Sequence, residues 1–194
     1  MLIKEDINNL HPRVKKTKIA LLEALSELLI KKTVNEFTVT EVTEIAKINR
    51  STFYLHFKDT NDLYNYLKTY FLDQMIEIRD DVYFGEEKPD IDTLKQMIIG
   101  MLDFVKLHPT LTTALILTNN IPDFRHDVME IFTMNAPFLV NLDLPVDVYL
   151  TYTIAGVLAT LGNWIKEDFK TPTEDMCKYL LTLMYSYSDK YKLQ

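Results

Sequence analysis

The feature that most constrains the fold of this chain lies within residues 38–63. There, two helix-capping patterns predict two short helices joined by a tight turn. Thr38 and Glu41 have the spacing of a capping box, which predicts a helix that begins directly after Thr38. Asn49 is a favourable N-cap residue, and it predicts a second helix from about Arg50 to Phe57. Two short helices joined by a turn of about three residues form a helix-turn-helix.

The second predicted helix carries side chains that suit contact with DNA. Hydroxyl groups, an aromatic ring and cations occur together within nine residues, namely Arg50, Ser51, Thr52, Tyr54, His56 and Lys58. Phosphate oxygens accept hydrogen bonds from all of these groups. Phe53 and Phe57 are four residues apart, so both are expected to face a small core beneath the helix. Asp59 and Asp62 then predict the beginning of a third helix, since carboxylates are favourable at a helix N-terminus.

Residues 37–63 resemble the DNA-binding domain of the TetR/AcrR family of bacterial transcriptional regulators. The resemblance is carried by Arg50–Phe57, which matches the family's pattern of Thr, an apolar residue, Tyr, any residue, His and Phe. A preceding amphipathic helix, predicted over Arg13–Lys32, and Phe37 fit the first helix of that domain. About the first 65 residues are similar at the level of motifs, and the rest is similar only in length and helical character.

The resemblance implies roles for individual residues in binding double-stranded DNA. Phosphate contacts are implied for Thr38, Thr40, Thr52, Tyr54, His56 and Lys58, and the candidates for contacts with base edges are Arg50, Ser51 and Leu55. Two further candidates depart from the family pattern. Lys47 lies in the turn where the family usually has Gly, so a positive φ there would carry strain. Thr60 lies where the family often has Lys. Taken singly, Tyr54 and His56 are better explained as a cover for the small core, whereas the whole motif with its caps and spacing favours DNA contact.

The sequence after Leu63 shows helical periodicity and no alternation typical of strands. Helices are predicted over residues 60–80, 91–107, 110–119, 123–136, 145–168 and 173–191. The fold is therefore predicted to be all-α, with about nine helices. We expect residues 1–62 to form the helix-turn-helix domain and residues 63–194 to form a helical regulatory and dimerisation domain.

The net charge of −7 is unevenly distributed, because residues 1–60 carry +2 and residues 61–194 carry −9. Four cations at the beginning of the first helix either flank a DNA backbone or form a solvated face: Arg13, Lys15, Lys16 and Lys18. There is no apolar run of membrane-spanning length and no signal-like N-terminus, so a cytoplasmic protein without membrane contact is expected. The single cysteine, Cys177, excludes an internal disulfide framework.

The last two predicted helices are apolar on more than one face, which indicates that a second subunit covers part of them. The resemblance implies the same, because the family forms homodimers through its final two helices. The candidate interface residues are Val157, Leu161, Met176, Tyr179, Leu180, Leu183, Met184 and Tyr187. The resemblance also implies an unidentified small-molecule effector, for which the candidate pocket residues are Tyr70, Met97, Met101, Phe104, Leu115, Met134 and Trp164. Taken singly, each of these seven is better explained as an ordinary core residue.

Enzymatic chemistry is not indicated. The four histidines lack metal-ligand spacing, and the four glycines form no phosphate-binding loop, so no cofactor and no metal are expected. The sequence instead predicts a dimeric DNA-binding transcriptional regulator, a repressor relieved by a ligand. The alternative is a protein-interaction co-activator or adaptor that has the regulator fold and weak or no DNA binding. The acidic rear half, Lys47 and Thr60 favour this alternative.

Overall fold

A computed structural model describes residues 10–83, 89–118, 124–134 and 145–185 of the chain, and it describes the side chains of these residues except those of 130–134 and 185. Within these ranges the regular structure is helical, and they contain no strand. The all-α prediction is therefore confirmed.

The chain folds into two compact units. The first unit comprises Met1–Asp73 together with Thr110–Pro122, and the second comprises Gln74–Pro109 together with Asp123–Gln194. The units thus divide within the fourth helix, whereas the predicted domain boundary lies at its beginning. A segment from the middle of the sequence also belongs to the first unit, which a single boundary does not describe.

The first unit is built from helices that enclose an apolar core. They are α1 (Pro12–Leu29), α2 (Val39–Ala46), α3 (Arg50–Tyr54) and the first part of α4 (Thr60–Val82), with a short 3₁₀ turn at Val34–Glu36. Side chains from all four helices are completely buried, including Leu25, Val42, Phe53 and Leu63. Helix α1 packs against α2, and α2 packs against α3. This core holds the helix-turn-helix in a fixed position.

A short sixth helix, α6 (Pro109–Thr112), continues as one π-helical turn over Thr113–Leu117. Apart from Pro109, these residues belong to the first unit, and the π-helical turn packs against α1. Thr112 and Ala114 are completely buried, which anchors the segment. The sequence predicts a single helix over residues 110–119, and the change to a wider helical turn was not predicted.

The remaining helices of the second unit are α5 (Ile91–Leu107), α7 (Phe124–Met134), α8 (Val146–Lys166) and α9 (Thr173–Tyr185). Helix α5 packs against α9, and α7 packs against α8. At Gly100 a Cβ atom would lie 2.7 Å from Cγ2 of Ile78, so α4 and α5 approach closely only because this residue has no side chain. The predicted bounds of α5 are confirmed, and those of α8 are confirmed to within two residues at each end.

The turn between α8 and α9 has an unusual backbone. Asp168 and Phe169 both have positive φ, at 53° and 55°. Their backbone N–H groups donate to the carbonyl oxygens of Ile165 and Trp164, each at 3.0 Å. The Phe169 ring meets the Trp164 ring edge to face at 5.0 Å, and the indole N–H donates to the Thr171 carbonyl at 2.8 Å. The turn is thus held on a buried tryptophan.

Candidate nucleic-acid interface

The N-terminus of α2 is fixed by the predicted capping box. The backbone N–H of Glu41 donates to the Thr38 hydroxyl at 3.3 Å, and the Glu41 carboxylate accepts the backbone N–H of Thr38 at 2.9 Å. Lys32 donates to the other oxygen of the same carboxylate at 2.8 Å. These bonds hold α2 against the end of α1. Because the Thr38 hydroxyl also donates to Glu41 at 3.2 Å, a contact between Thr38 and a phosphate would compete with this bond.

The turn between α2 and α3 is a Schellman motif closed by Lys47. Its backbone is left-handed, with φ 55° and ψ 43°. The Ile48 N–H donates to the Thr43 carbonyl at 3.0 Å, and the Lys47 N–H donates to the Glu44 carbonyl at 3.2 Å. The predicted positive φ is confirmed. A side chain in this conformation costs about 1 kcal/mol relative to glycine.

Helix α3 is shorter than predicted, since it ends at Tyr54 and not at Phe57. The predicted side-chain cap by Asn49 is wrong, because Asn49 has an extended backbone but makes no capping hydrogen bond with its side chain. Beyond Tyr54 the chain turns, and the N–H groups of His56 and Phe57 both donate to the Phe53 carbonyl at 2.9 Å. Leu55 and His56 therefore lie on this turn, just beyond the helix.

Two buried aromatic rings support α3 from below. Phe53 is completely buried and Phe57 is 4% exposed. The centroids of their rings are 5.9 Å apart, and Phe57 meets Tyr66 of α4 at 5.2 Å. The Phe53 ring also contacts Tyr54 edge to face at 5.5 Å. The prediction that Phe53 and Phe57 face a core is confirmed, and these contacts fix the position of the side chains above them.

The outer face of α3 and of the turn after it is exposed and carries apolar, hydroxyl and cationic side chains. Leu55 is 80% exposed and Tyr54 is 53% exposed. Arg50, Ser51 and Lys58 are also exposed, while Thr40, Thr52, His56 and Thr60 are half-buried. The structure therefore places all of the candidate DNA-binding residues at least partly on the surface of one unit. This surface, with the apolar Leu55 flanked by cations and hydroxyl groups, is able to contact both base edges and phosphates.

The N-terminus of α4 is occupied by its own carboxylates. The Lys58 N–H donates to the Asp62 carboxylate at 2.9 Å, and the Asp62 N–H donates to Asp59 at 2.8 Å. These two amides are therefore satisfied within the chain. A phosphate at this position would meet the hydroxyl of Thr60 and the side chain of Lys58, near two negative charges.

Lys18 is not part of the exposed basic cluster at the beginning of α1. It is only 4% exposed, and its ammonium group lies 4.4 Å from the centroid of the Tyr66 ring and 5.7 Å from that of Phe57. Both alternatives predicted for Lys18, a place beside a DNA backbone and a place on a solvated helix face, are therefore wrong. Arg13 and Lys16 are exposed. Lys18 was misassigned because its aromatic partners lie far along the chain.

The candidate pocket residues are divided between the two units. Tyr70 and Leu115 belong to the first unit, while Met97, Met101, Phe104 and Trp164 belong to the second, and the side chain of Met134 lies outside the described residues. Met97, Phe104, Leu115 and Trp164 are buried. No group of three or more His, Cys, Asp or Glu side chains in the described parts of the chain is placed to hold a metal ion.

Helices α8 and α9 carry an exposed apolar surface around a groove of about 720 Å³. The groove is lined mainly by small or apolar residues, among them Val148, Tyr152, Gly156, Val157, Leu180, Leu183 and Met184. Val148, Tyr152, Tyr179 and Leu183 are each more than half exposed. Of the candidate interface residues, Leu161, Met176 and Leu180 are buried within the chain itself, and Tyr187 lies outside the described residues.

Sequence reasoning missed Val148 and Tyr152 as surface residues. Their spacing of four places them on one face of α8, and this signal was present in the sequence. The prediction that the chain has no apolar run of membrane-spanning length is wrong for helix α8, which is long and apolar enough to cross a membrane by length and composition alone. Its most apolar stretch has a mean hydropathy of 1.2, and 28% of that stretch is buried. Part of the apolar surface of this helix is therefore exposed, at Val146, Val148 and Tyr152.

Comparison with known proteins agrees with this architecture. Residues 21–67 match the family described as bacterial regulatory proteins, tetR family. The uncharacterized HTH-type transcriptional regulator YxbF of Bacillus subtilis (strain 168) is 24% identical over 147 residues, which are 75% of this chain. The match covers 39% of that relative, so this chain spans well under half of the relative's length.

Solved structures with the same fold cover almost the whole chain. The fatty acid degradation regulator FadR from Bacillus halodurans has a TM-score of 0.62 at 14% identity, over 93% of this chain and 98% of that one. A TetR transcriptional regulator from Streptococcus agalactiae 2603V has a TM-score of 0.57 at 20% identity, over 89% and 95%. Taken together, these likenesses show that the chain has the fold of TetR-type regulators, with a helix-turn-helix segment that matches the tetR family over residues 21–67.

Proposed function

We propose that this chain binds a palindromic DNA operator as a homodimer and represses transcription there until a small-molecule effector binds. The observation that carries the proposal is the exposed face of α3 and of the turn after it, where Arg50, Tyr54 and Leu55 project from a base fixed by buried aromatic rings. Such a rigid base suits sequence-specific contact, because base recognition needs side chains in fixed positions.

The chemistry of the exposed side chains assigns them different roles. Arg50 is suited to a bidentate contact with guanine, and the protruding Leu55 is suited to contact with a thymine methyl group. Ser51 is the third candidate for a base edge. The hydroxyl, imidazole and ammonium groups of Thr52, Tyr54, His56 and Lys58 are suited to phosphates, with Thr38, Thr40 and Thr60 at the margins.

A second copy of this chain is the proposed occupant of the α8–α9 groove. The groove is apolar and wide, and at Gly156 a Cβ atom would have no neighbour within 4 Å, so a helix of the partner has room to approach there. Burial of the more than half-exposed Val148, Tyr152, Tyr179 and Leu183 would stabilise the dimer. A two-fold axis would present two copies of α3 to two half-sites about one DNA turn apart, or a multiple of it.

The proposed effector and repressor role rest on the resemblance to the family and on the thermodynamic linkage between ligand binding and conformation. A ligand that binds better to one spacing of the two α3 helices shifts the population towards that spacing and so changes operator affinity. Regulators with this fold include one whose structure is described as the dihydroxyacetone kinase operon activator DhaS, at 15% identity and a TM-score of 0.53. Repression, as opposed to activation, is therefore a separate part of the proposal. Binding to chromosomal DNA would place the protein in the cytoplasm.

An adaptor that binds another protein is the second candidate function. It is favoured by the charge of −9 on residues 61–194 and by the carboxylates that occupy the N-terminus of α4. Both features reduce the attraction to phosphates. An adaptor would retain the fold and bind DNA weakly, with no preference for any sequence.

The two candidates are separated by selection of bound sequences from a random DNA library, followed by fluorescence anisotropy across a salt series. A regulator is expected to enrich a palindrome and to show a salt slope of several units. Arg50→Ala should relax the preference at one base pair of each half-site by about 1–3 kcal/mol, whereas Lys58→Ala should weaken all sequences equally. No enrichment at any salt concentration would favour the adaptor.

A further inference from the structure

Lys47 combines a strained backbone with an exposed charge at the edge of the helix-turn-helix. In the described part of the first unit, Lys47 is the one residue with positive φ. The position is thus filled by a lysine and not by glycine, which adopts this conformation without strain. The two hydrogen bonds that close the Schellman motif at Ile48 and Lys47 are backbone bonds, so a glycine would form them equally well. The lysine side chain therefore adds strain without improving the turn.

The side chain of Lys47 is available to a partner outside the chain. It is exposed, and no carboxylate in the described ranges forms an ion pair with it. Lys32, a lysine elsewhere in the same unit, is instead held by Glu41 at 2.8 Å. Lys47 stands three residues before Arg50, on the N-terminal side of α3, and thus borders the surface proposed to contact DNA.

On the α4 side of α3, two backbone amides that could otherwise bind a phosphate are already occupied. There the amides of Lys58 and Asp62 already donate to carboxylates, and Thr60 carries no charge. On that side the charge of Lys58 lies near two carboxylates, so a second exposed cation, at the N-terminal side of α3, would add to the attraction for phosphates. Strained residues that persist in a structure are often found at functional positions, because a glycine would otherwise be the more stable choice.

We propose that Lys47 is a phosphate-binding residue, and that its strained conformation is kept because the ammonium group anchors DNA beside the N-terminus of α3. This inference rests on the proposed DNA binding and deepens it. It predicts two opposite effects of one substitution, because replacing Lys47 with glycine should stabilise the fold and weaken DNA binding.

The test compares Lys47→Gly, Lys47→Ala and Lys47→Arg in the full chain, with Lys106→Ala on the exposed face of α5 as the control. Lys47→Gly removes both strain and charge, so we expect Tm to rise by about 2–4 °C and the salt slope of binding to the selected operator to fall by about 0.9 per protomer. Lys47→Ala keeps the strain and removes the charge, so its slope should fall equally while its Tm stays unchanged. Lys47→Arg should retain both wild-type values, as should Lys106→Ala.

The possible results separate the role of Lys47 from the proposed function. Salt slopes of both Lys47→Gly and Lys47→Ala that equal the wild-type slope would overturn the role of Lys47 while leaving the proposed function intact. A loss of binding in Lys47→Gly alone would also overturn it, since it would make turn geometry the cause. Failure of the wild type to bind any selected DNA would overturn the proposed function itself, and the inference with it.

Discussion

The ammonium group of Lys18 lies 4.4 Å from the centroid of the Tyr66 ring, with both residues inside the first unit. The same ammonium group is 5.7 Å from the ring of Phe57, which lies three residues beyond the end of α3. A single buried cation thus links α1, the end of the helix-turn-helix and α4. Cation–π contacts of this kind contribute about 2 kcal/mol when they are shielded from water.

Lys18→Ala should destabilise the fold without changing the ionic component of DNA binding. The substitution removes the cation–π contacts and leaves a cavity, so we expect the free energy of unfolding to fall by about 1–3 kcal/mol. Urea unfolding measures this change. Lys16→Ala, at an exposed position on the same helix, should stay within about 0.5 kcal/mol of the wild type. A fall of about 0.9 per protomer in the salt slope of Lys18→Ala would contradict the prediction, because it would make Lys18 a phosphate contact.

Glu41 should make stability depend on pH in the acidic range. Its pKa is lowered because Lys32 donates a hydrogen bond to the carboxylate, as does the backbone N–H of Thr38. The folded-state pKa therefore lies below the ordinary value of 4.5. The stabilisation is complete above that ordinary value and is lost as pH falls through the lowered pKa.

We therefore expect Glu41→Gln to lose less stability than the wild type when the pH falls below 4.5. The measurement is the urea midpoint as a function of pH, with Glu44→Gln on the exposed side of the same helix as the control. A wild type and a Glu41→Gln variant with parallel acid profiles would show that this carboxylate contributes nothing to the dependence.

Leu183→Glu should prevent dimer formation. Leu183 is 57% exposed at the α8–α9 groove, and a carboxylate there would have to be desolvated against an apolar partner surface. Sedimentation equilibrium should give a monomer for this variant and a dimer for the wild type. Leu107→Glu is the matched control, because Leu107 is 75% exposed on α5 and does not line the groove. Monomers of the wild type both with and without operator DNA would contradict the proposed dimer.

The two strained residues between α8 and α9 should respond differently to glycine. Asp168 is exposed, and its carboxylate forms no hydrogen bond or ion pair among the described residues, so Asp168→Gly should stabilise the fold by about 1 kcal/mol. Phe169→Gly relieves the same strain but removes the edge-to-face contact with Trp164 and the partial burial of a phenyl ring. We therefore expect Phe169→Gly to be destabilising, by about 1–2 kcal/mol, in thermal unfolding. Equal shifts for the two variants would mean that the aromatic contact has no net effect.

Features that depend on neighbours in the sequence were predictable, and features that depend on distant contacts were not. The capping box at Thr38 and the strained turn at Lys47 need only local residues, and both predictions are confirmed. The early end of α3 follows from the packing of Phe57 against Tyr66 of the next helix. The burial of Lys18 depends on the same two rings, which no local pattern connects to α1.

The candidate site shows the same limit. The motif around α3 identified which side chains reach the surface, because a short amphipathic helix on a small core has one outer face. The carboxylates that occupy the amides of Lys58 and Asp62 were predicted as helix caps, but their effect on phosphate binding was not drawn from sequence. On α8, the all-round apolar character hid the distinction between core and surface residues.

The membership of Thr110–Pro122 in the first unit has a consequence for protein engineering. The backbone passes from one unit to the other three times, so no single cut in the chain separates them. A fragment that ends at Asp73 would lack the segment that packs against α1 and would expose the apolar surface beneath it. Chimaeras that exchange operator specificity between regulators should therefore transplant the α6 segment together with the N-terminal helices, or replace only the exposed residues of α3.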